Sequence, residues 1–210
     1  VSVADYLLGR AYNEALESGK SLDEVCAPYR MTTASNLSSS RALRDVTEKF
    51  GGEYFSAAVG EVNVTTKMKE CGALIGGEGN GGVIYPALHY GRDAMVGVAL
   101  FLTNLAHKQM KVSQLLKTYP QYVITKNRID LSDKALIDKI LSEMQKVYAN
   151  ENVNTIDGVK ISFEDKKQWV HLRRSNTEPI IRIYAEAATK EEADALANEV
   201  IGIAQKTIGQ

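Results

Sequence analysis

Two stretches of this sequence concentrate side chains suited to binding a polar ligand. The first is Arg173-Arg174-Ser175-Asn176-Thr177-Glu178-Pro179, followed at Arg182 by a further guanidinium. Arginine pairs bidentately with phosphate and hydroxyls add short hydrogen bonds, so the run suits a phosphate group. A solvated turn carrying two exposed arginines fits the same residues. The second stretch, Gly76-Gly77-Glu78-Gly79-Asn80-Gly81-Gly82, has five glycines in seven residues, which lets backbone turn sharply and lie close to a partner. Glu78 and Asn80 are its only side chains beyond Cβ. A carboxylate beside an amide matches vicinal sugar hydroxyls, each of which donates and accepts at once. A structural glycine turn remains open, as does a dinucleotide loop, since Gly77, Gly79 and Gly82 match that fingerprint. The fingerprint should open a helix, and Val83-Ile84-Tyr85-Pro86 argues against one.

Local patterning predicts how these stretches are held. Val3, Tyr6, Leu7, Ala11, Ala15 and Leu16 have helical spacing, closed by Ser18-Gly19. A short helix follows Ser21, then a strand at Tyr29–Thr33, a helix from about Arg41 to Phe50, a strand at Glu53–Ala58, a helix from about Val62 to Glu70, and a strand at Ala73–Ile75. Alternation of this kind implies a mainly parallel sheet covered on both faces, with ligands at the carboxyl ends of its strands, where the glycine stretch falls. Ala94 to about His107 is apolar nearly all round and is predicted to be buried against that sheet, with Asp93 at its N-terminus. Val112–Lys117 is a further short helix, and Tyr119-Pro120 marks a boundary between domains at 1–118 and 122–210.

The second domain predicts a strand at Tyr122–Asn127 and a helix from Asp133 to about Tyr148, capped by Ser132, with Ala135, Leu136, Ile140, Met144 and Val147 inward. Strands follow at Val153–Ile156, Val159–Phe163, Gln168–Leu172 and Ile180–Glu186, then a helix from Lys190 to about Thr207. Asp157-Gly158 signals a hairpin. This is an α+β domain in which Arg173–Glu178 forms a loop between strands.

The formal net charge of −1 supplies no basic field, which argues against nucleic-acid binding outside the Arg173, Arg174 and Arg182 region. No apolar run is long enough for a membrane span. Cys26 and Cys71 show no disulfide or metal spacing and read as small buried residues of a reducing, cytoplasmic compartment. His89, His107 and His171 lack metal-ligand spacing. The Val1-Ser-Val-Ala-Asp start has no signal-peptide pattern and no initiator Met, and it opens in a helical pattern as a cut fragment would.

Taken in order, Gly77-Glu78-Gly79-Asn80-Gly81 and Arg173-Arg174-Ser175-Asn176-Thr177-Glu178-Pro179 resemble the sugar loop and the phosphate loop of the α-D-phosphohexomutases. Val59-Gly60-Glu61 and Arg92-Asp93 are similar too. The resemblance covers essentially the whole chain, as the family's third and fourth domains. It implies a three-layer α/β domain followed by a smaller α+β domain of the TATA-binding-protein-like type. It also implies reversible phosphate transfer between positions 1 and 6 of a hexose, through a phosphoserine enzyme and a hexose 1,6-bisphosphate, with Mg2+. Glu78 and Asn80 would hold sugar hydroxyls. Arg173, Ser175, Asn176, Thr177 and Arg182 would hold the non-reacting phosphate. The family's catalytic serine loop and its aspartate-rich magnesium loop have no counterpart here. Thr33-Ala34-Ser35-Asn36 echoes the serine loop without its His and Pro, and Ser35 reads as a strand-end loop residue. The implied protein is a mutase fragment, inactive alone, whose partners are a hexose phosphate and the amino-terminal domains of the same polypeptide. A non-catalytic sugar-phosphate binding module is the alternative.

Overall fold

The computed structural model describes every residue except Ser132, Lys134, Asn176, Thr177 and Gln210. The capping role expected of Ser132 therefore lies outside the described residues. The chain divides into two compact units, Val1–Gln121 and Tyr122–Gln210.

The first unit runs α1 (Ser2–Ser18), α2 (Leu22–Cys26), β1 (Arg30–Asn36), α3 (Ala42–Lys49), β2 (Glu53–Ala57), α4 (Glu61–Cys71), β3 (Ala73–Gly77), β4 (Val83–Ile84), α5 (Ala94–Lys108) and α6 (Val112–Leu116). Its sheet has the order β2-β1-β3-β4, with β1 parallel to β2 and β3, and β4 antiparallel to β3. Alternating side chains send β1 to two cores. Met31 joins Leu7, Leu8, Val46 and Ile75 on the α1 side, and Ala34 joins Val64 and Met68 of α4 on the other. Three layers result. Asp5, only 4% exposed, sits in the first of them beside Lys49 at 3.9 Å and Lys108 at 3.6 Å, and accepts from the Tyr119 hydroxyl at 3.3 Å.

Two expectations fail here. Helix α5 is not buried against the sheet: Met95, Val98 and Leu102 are exposed, and Asn104 is its one fully buried side chain. The helix packs along α1, where the Asn104 amide donates to Ser2 O at 3.0 Å. From Ala94 to Leu102 the helix is apolar all round, so spacing there does not mark the inward side. Ser35 is not a loop residue either. It lies inside β1, 1% exposed, with Oγ 2.9 Å from the Tyr54 hydroxyl.

The second unit runs β5 (Val123–Asp130), α7 (Ala135–Val147), β6 (Asn152–Asn154), β7 (Val159–Phe163), β8 (Gln168–Arg174), β9 (Ile180–Ala187) and α8 (Lys190–Ile208). Its antiparallel sheet has the order β5-β9-β8-β7-β6. One face, with Val159, Ile161, Val170, Leu172, Ile181 and Ile183, packs against Ile137, Ile140 and Met144 of α7 and Leu196, Ala197 and Val200 of α8. The inward stripe of α7 is rotated from expectation: Ile137 is buried, while Ala135 and Val147 are exposed. Thr189 caps α8, accepting from Glu192 N–H at 3.2 Å. Asp157-Gly158 does turn the chain between antiparallel β6 and β7.

Among the described residues, no helix is long and apolar enough to cross a membrane. Both cysteines are free and buried, and burial raises each thiol above its usual pKa.

Candidate functional site

The glycine stretch is the connection between β3 and the antiparallel β4, and a strand follows it rather than a helix, unlike a dinucleotide loop. Backbone bonds close it into a tight turn: Glu78 N donates to Gly82 O at 2.9 Å and Gly81 N to Glu78 O at 3.1 Å. The exposed Asn80 returns its carbonyl oxygen to Gly82 N–H at 3.1 Å, which leaves its amide NH2 as the donor at the loop surface.

Glu78 points the other way, its side chain 6% exposed. Each carboxylate oxygen has a partner from a different segment. Asn36, at the end of β1, donates its amide to Oε1 at 3.0 Å and accepts from Ser39 Oγ at 2.8 Å. Arg92, just before α5, places Nη1 3.3 Å from Oε2. Arg92 is itself held twice by Glu61, through its backbone N–H at 3.0 Å and its Nε–H at 2.7 Å. Those bonds hold the Glu61 carboxyl below the usual carboxylate range. Asp93, the N-cap of α5, accepts from Val96 N–H at 3.0 Å, which with a contact from His89 lowers its pKa.

In the second unit, Arg173 and Arg174 are the last residues of β8 and not part of a loop. The polar run broke the apolar alternation, but β9 supplies ladder partners as far as Arg174. Arg173 faces Arg182 on β9, and Arg182 faces Arg128 on β5, so three guanidinium groups lie in direct register across three strands. Like charges directly opposite one another destabilise a sheet. Each therefore has a carboxylate nearby: Arg173 Nε is 2.9 Å from Asp157 Oδ2, Arg182 is 3.8 Å from Glu178 and Arg128 is 3.5 Å from Asp130. The Arg173 Nε–H meets no acceptor at a hydrogen-bonding angle among the described residues. Arg174 pairs with Asp138 of α7, away from this row. Ser175 is buried, and its backbone N donates to Ile180 O at 3.1 Å. Asn176 and Thr177 lie outside the described residues.

The turn before β7 braces the row. Gly158 has φ +79°, and a Cβ there would lie 2.1 Å from Leu172 O. The turn's Asp157 carbonyl meets His171 Nε2 at 2.7 Å, and burial lowers the His171 pKa to about 4.

The residues that local reading missed come from distant segments. Asp157 reads only as half of a turn dipeptide and Asn36 only as the end of a serine-loop echo, while Ser39 and Arg128 belong to no motif; the sheet order brings them toward Glu78 and Arg173. No three His, Cys, Asp or Glu side chains among the described residues are grouped to hold a metal.

Known proteins share the fold. Residues 5–122 match the model of phosphoglucomutase/phosphomannomutase, alpha/beta/alpha domain III, and residues 128–203 match that of the phosphoglucomutase/phosphomannomutase C-terminal domain. A phosphoglucosamine/phosphogalactosamine mutase of Sulfurisphaera tokodaii is 36% identical over 166 residues, covering 78% of this chain and 36% of that protein. The chain thus spans about a third of the length of the curated relatives it matches. A phosphoglucomutase/phosphomannomutase family protein of Burkholderia thailandensis has the same fold at TM-score 0.71 and 22% identity, covering 97% of this chain and 41% of its own. An Aspergillus fumigatus N-acetylphosphoglucosamine mutase, solved in complex with GlcNAc-6P and magnesium, reaches TM-score 0.68 at 16% identity, over 98% of this chain and 43% of its own. With domain-family matches extending through both units, the chain belongs to the phosphoglucomutase/phosphomannomutase family, as its domain III and C-terminal domain.

Proposed function

We propose that this chain is the carboxyl-terminal part of a phosphohexomutase that interconverts hexose 1- and 6-phosphates. In this reading residues 1–118 recognise the sugar and residues 122–210 bind the phosphate that is not reacting. The observation that carries it is the carboxylate of Glu78, fixed by two donors at the carboxyl end of a parallel strand. A carboxylate has about four acceptor sites, so lone pairs remain for sugar hydroxyls, and Asn80 NH2 adds a donor. Arg173 and Arg182 supply guanidinium groups for the phosphate, with Ser175, Asn176 and Thr177 following on the same run, and Arg128 extends the row. Such contacts hold the substrate in a reactive orientation without taking part in bond making.

The transfer itself belongs to a phosphoserine elsewhere in the full-length polypeptide, with a hexose 1,6-bisphosphate as the intermediate. Magnesium belongs there as well. Among the described residues no three His, Cys, Asp or Glu side chains are grouped to hold it. The protein works with its own amino-terminal domains and a hexose phosphate, in the cytoplasm, without nucleic acid or membrane.

The test is Glu78→Gln in the full-length enzyme, assayed with glucosamine 1-phosphate and glucose 1-phosphate. The KM should rise about tenfold, since a charged hydrogen bond contributes about 1.5–3 kcal/mol. An unchanged KM overturns the reading. A sugar-phosphate binding module without catalysis would instead leave the full-length protein with no turnover on either substrate.

A further inference from the structure

Arg92 belongs to neither of the two ligand motifs, yet bonds to both its backbone and its side chain hold it. Its backbone forms an isolated antiparallel bridge with Ile84 of β4, and the N–H of Asp93 donates to Val83 O at 2.8 Å. Glu61, from the first turn of α4, anchors Arg92 twice, accepting from its backbone N–H and from its side-chain Nε–H. The guanidinium then reaches across the glycine stretch to Oε2 of Glu78. The stretch is shaped to let it pass: a Cβ on Gly82 would stand 2.5 Å from Arg92 Cδ. That close approach accounts for a glycine that the turn geometry alone does not demand.

The electrostatics favour a fixed arrangement. One guanidinium sits between two carboxylates, and Arg offers donors in a planar fork that can serve both at once. Glu78 Oε1 already takes the Asn36 amide, so Arg92 decides where Oε2 points. Without it the carboxylate would keep one anchor and rotate about its χ angles. A hydroxyl-reading group gains from a locked rotamer, because less order has to be imposed on binding.

We propose that Arg92, braced by Glu61, is a positioning residue for sugar recognition: it sets the orientation in which the Glu78 carboxylate meets the substrate hydroxyls. The inference rests on the sugar-reading role of Glu78 proposed above. It assigns Arg92 no contact with the phosphate and no part in the chemical step.

The experiment is a double-mutant cycle in the full-length enzyme with Arg92→Gln, Glu78→Gln and the pair, assayed with whichever of glucosamine 1-phosphate and glucose 1-phosphate is turned over faster. Arg92→Gln should raise KM about tenfold with kcat changed far less, and Arg92→Lys, which keeps the charge without the fork, should fall between. Glu61→Gln should shift KM in the same direction by a smaller factor. The double variant should be no worse than Glu78→Gln alone, because residues acting through one another are not additive. Full additivity, or a wild-type KM for Arg92→Gln beside an impaired Glu78→Gln, overturns this inference and leaves the role of Glu78 standing. A wild-type KM for Glu78→Gln overturns both. A fall in kcat equal to the rise in KM, with a lowered thermal midpoint, would mark a merely structural arginine and also overturns it.

Discussion

Arg173 is held by Asp157 on one side and opposed by Arg182 on the other, so its guanidinium is already placed before an anion arrives. Arg173→Ala in the full-length enzyme should weaken hexose phosphate binding by about 10- to 100-fold, the loss of one or two charged hydrogen bonds. Titration calorimetry with the sugar phosphate measures it, and unchanged affinity would remove Arg173 from the phosphate role. The neighbouring His171 gives a pH signature. It is neutral when folded because burial lowers its pKa to about 4 from 6.5, against the raising contact with Asp157 and with Lys160 and Arg173 pushing further down. Protonation thus favours the unfolded chain. Its contribution is complete above about pH 6.5 and is lost as pH falls toward 4, by about 3 kcal/mol in all. Urea midpoints recorded from pH 7 to 4 should fall less steeply for His171→Gln than for the unaltered chain.

At the level of elements, the hairpin between β6 and β7 carries a strict backbone constraint at Gly158. Gly158→Ala puts a Cβ in a left-handed conformation and against Leu172 O, and should destabilise the second unit by more than about 1 kcal/mol, read from its denaturant transition. Ile140→Ala, at the centre of the α7 face, should cost about 2–5 kcal/mol by the same measurement. These elements were legible because their signals are local: alternation in Val159–Phe163, a turn dipeptide at Asp157-Gly158, and helical spacing in Ala193–Ala204. Other features were not. The rotation of α7 depends on which strands it covers, and its Val147 fits the apolar period while facing solvent at 49% exposure. Helix α5 is apolar from Ala94 to Leu102, so spacing over that stretch does not separate the side against α1 from the side bearing Met95, Val98 and Leu102. The β8 limit was misplaced because Arg173 and Arg174 are polar, although an outward strand position accepts an arginine readily when a carboxylate stands beside it.

For the whole molecule, the candidate site divides into parts that sequence displays and parts that only topology assembles. Glu78 and Asn80 share a short string, and so do Arg173 and Ser175. Asn36 meets Glu78 because β1 and β3 are adjacent parallel strands, Arg92 reaches it from beside β4, and Glu61, at the start of α4, acts on it only through Arg92. Glu78 has both oxygens engaged by donors, and Ser35 is buried with its hydroxyl against Tyr54. A group in a phosphoryl-transfer role must instead reach the reacting oxygen at hydrogen-bond distance. The 210-residue chain, purified alone and supplied with Mg2+, hexose 1,6-bisphosphate and glucosamine 1-phosphate or glucose 1-phosphate, should therefore show no mutase turnover above background. Positioning groups without the phosphoserine lower no barrier, since their effect is to orient a reaction that other residues carry out. Coupled assay of hexose 6-phosphate release measures it. Restoring the amino-terminal part of the polypeptide should restore turnover, and activity in the chain by itself would show that the phosphoryl-transfer group lies within these residues.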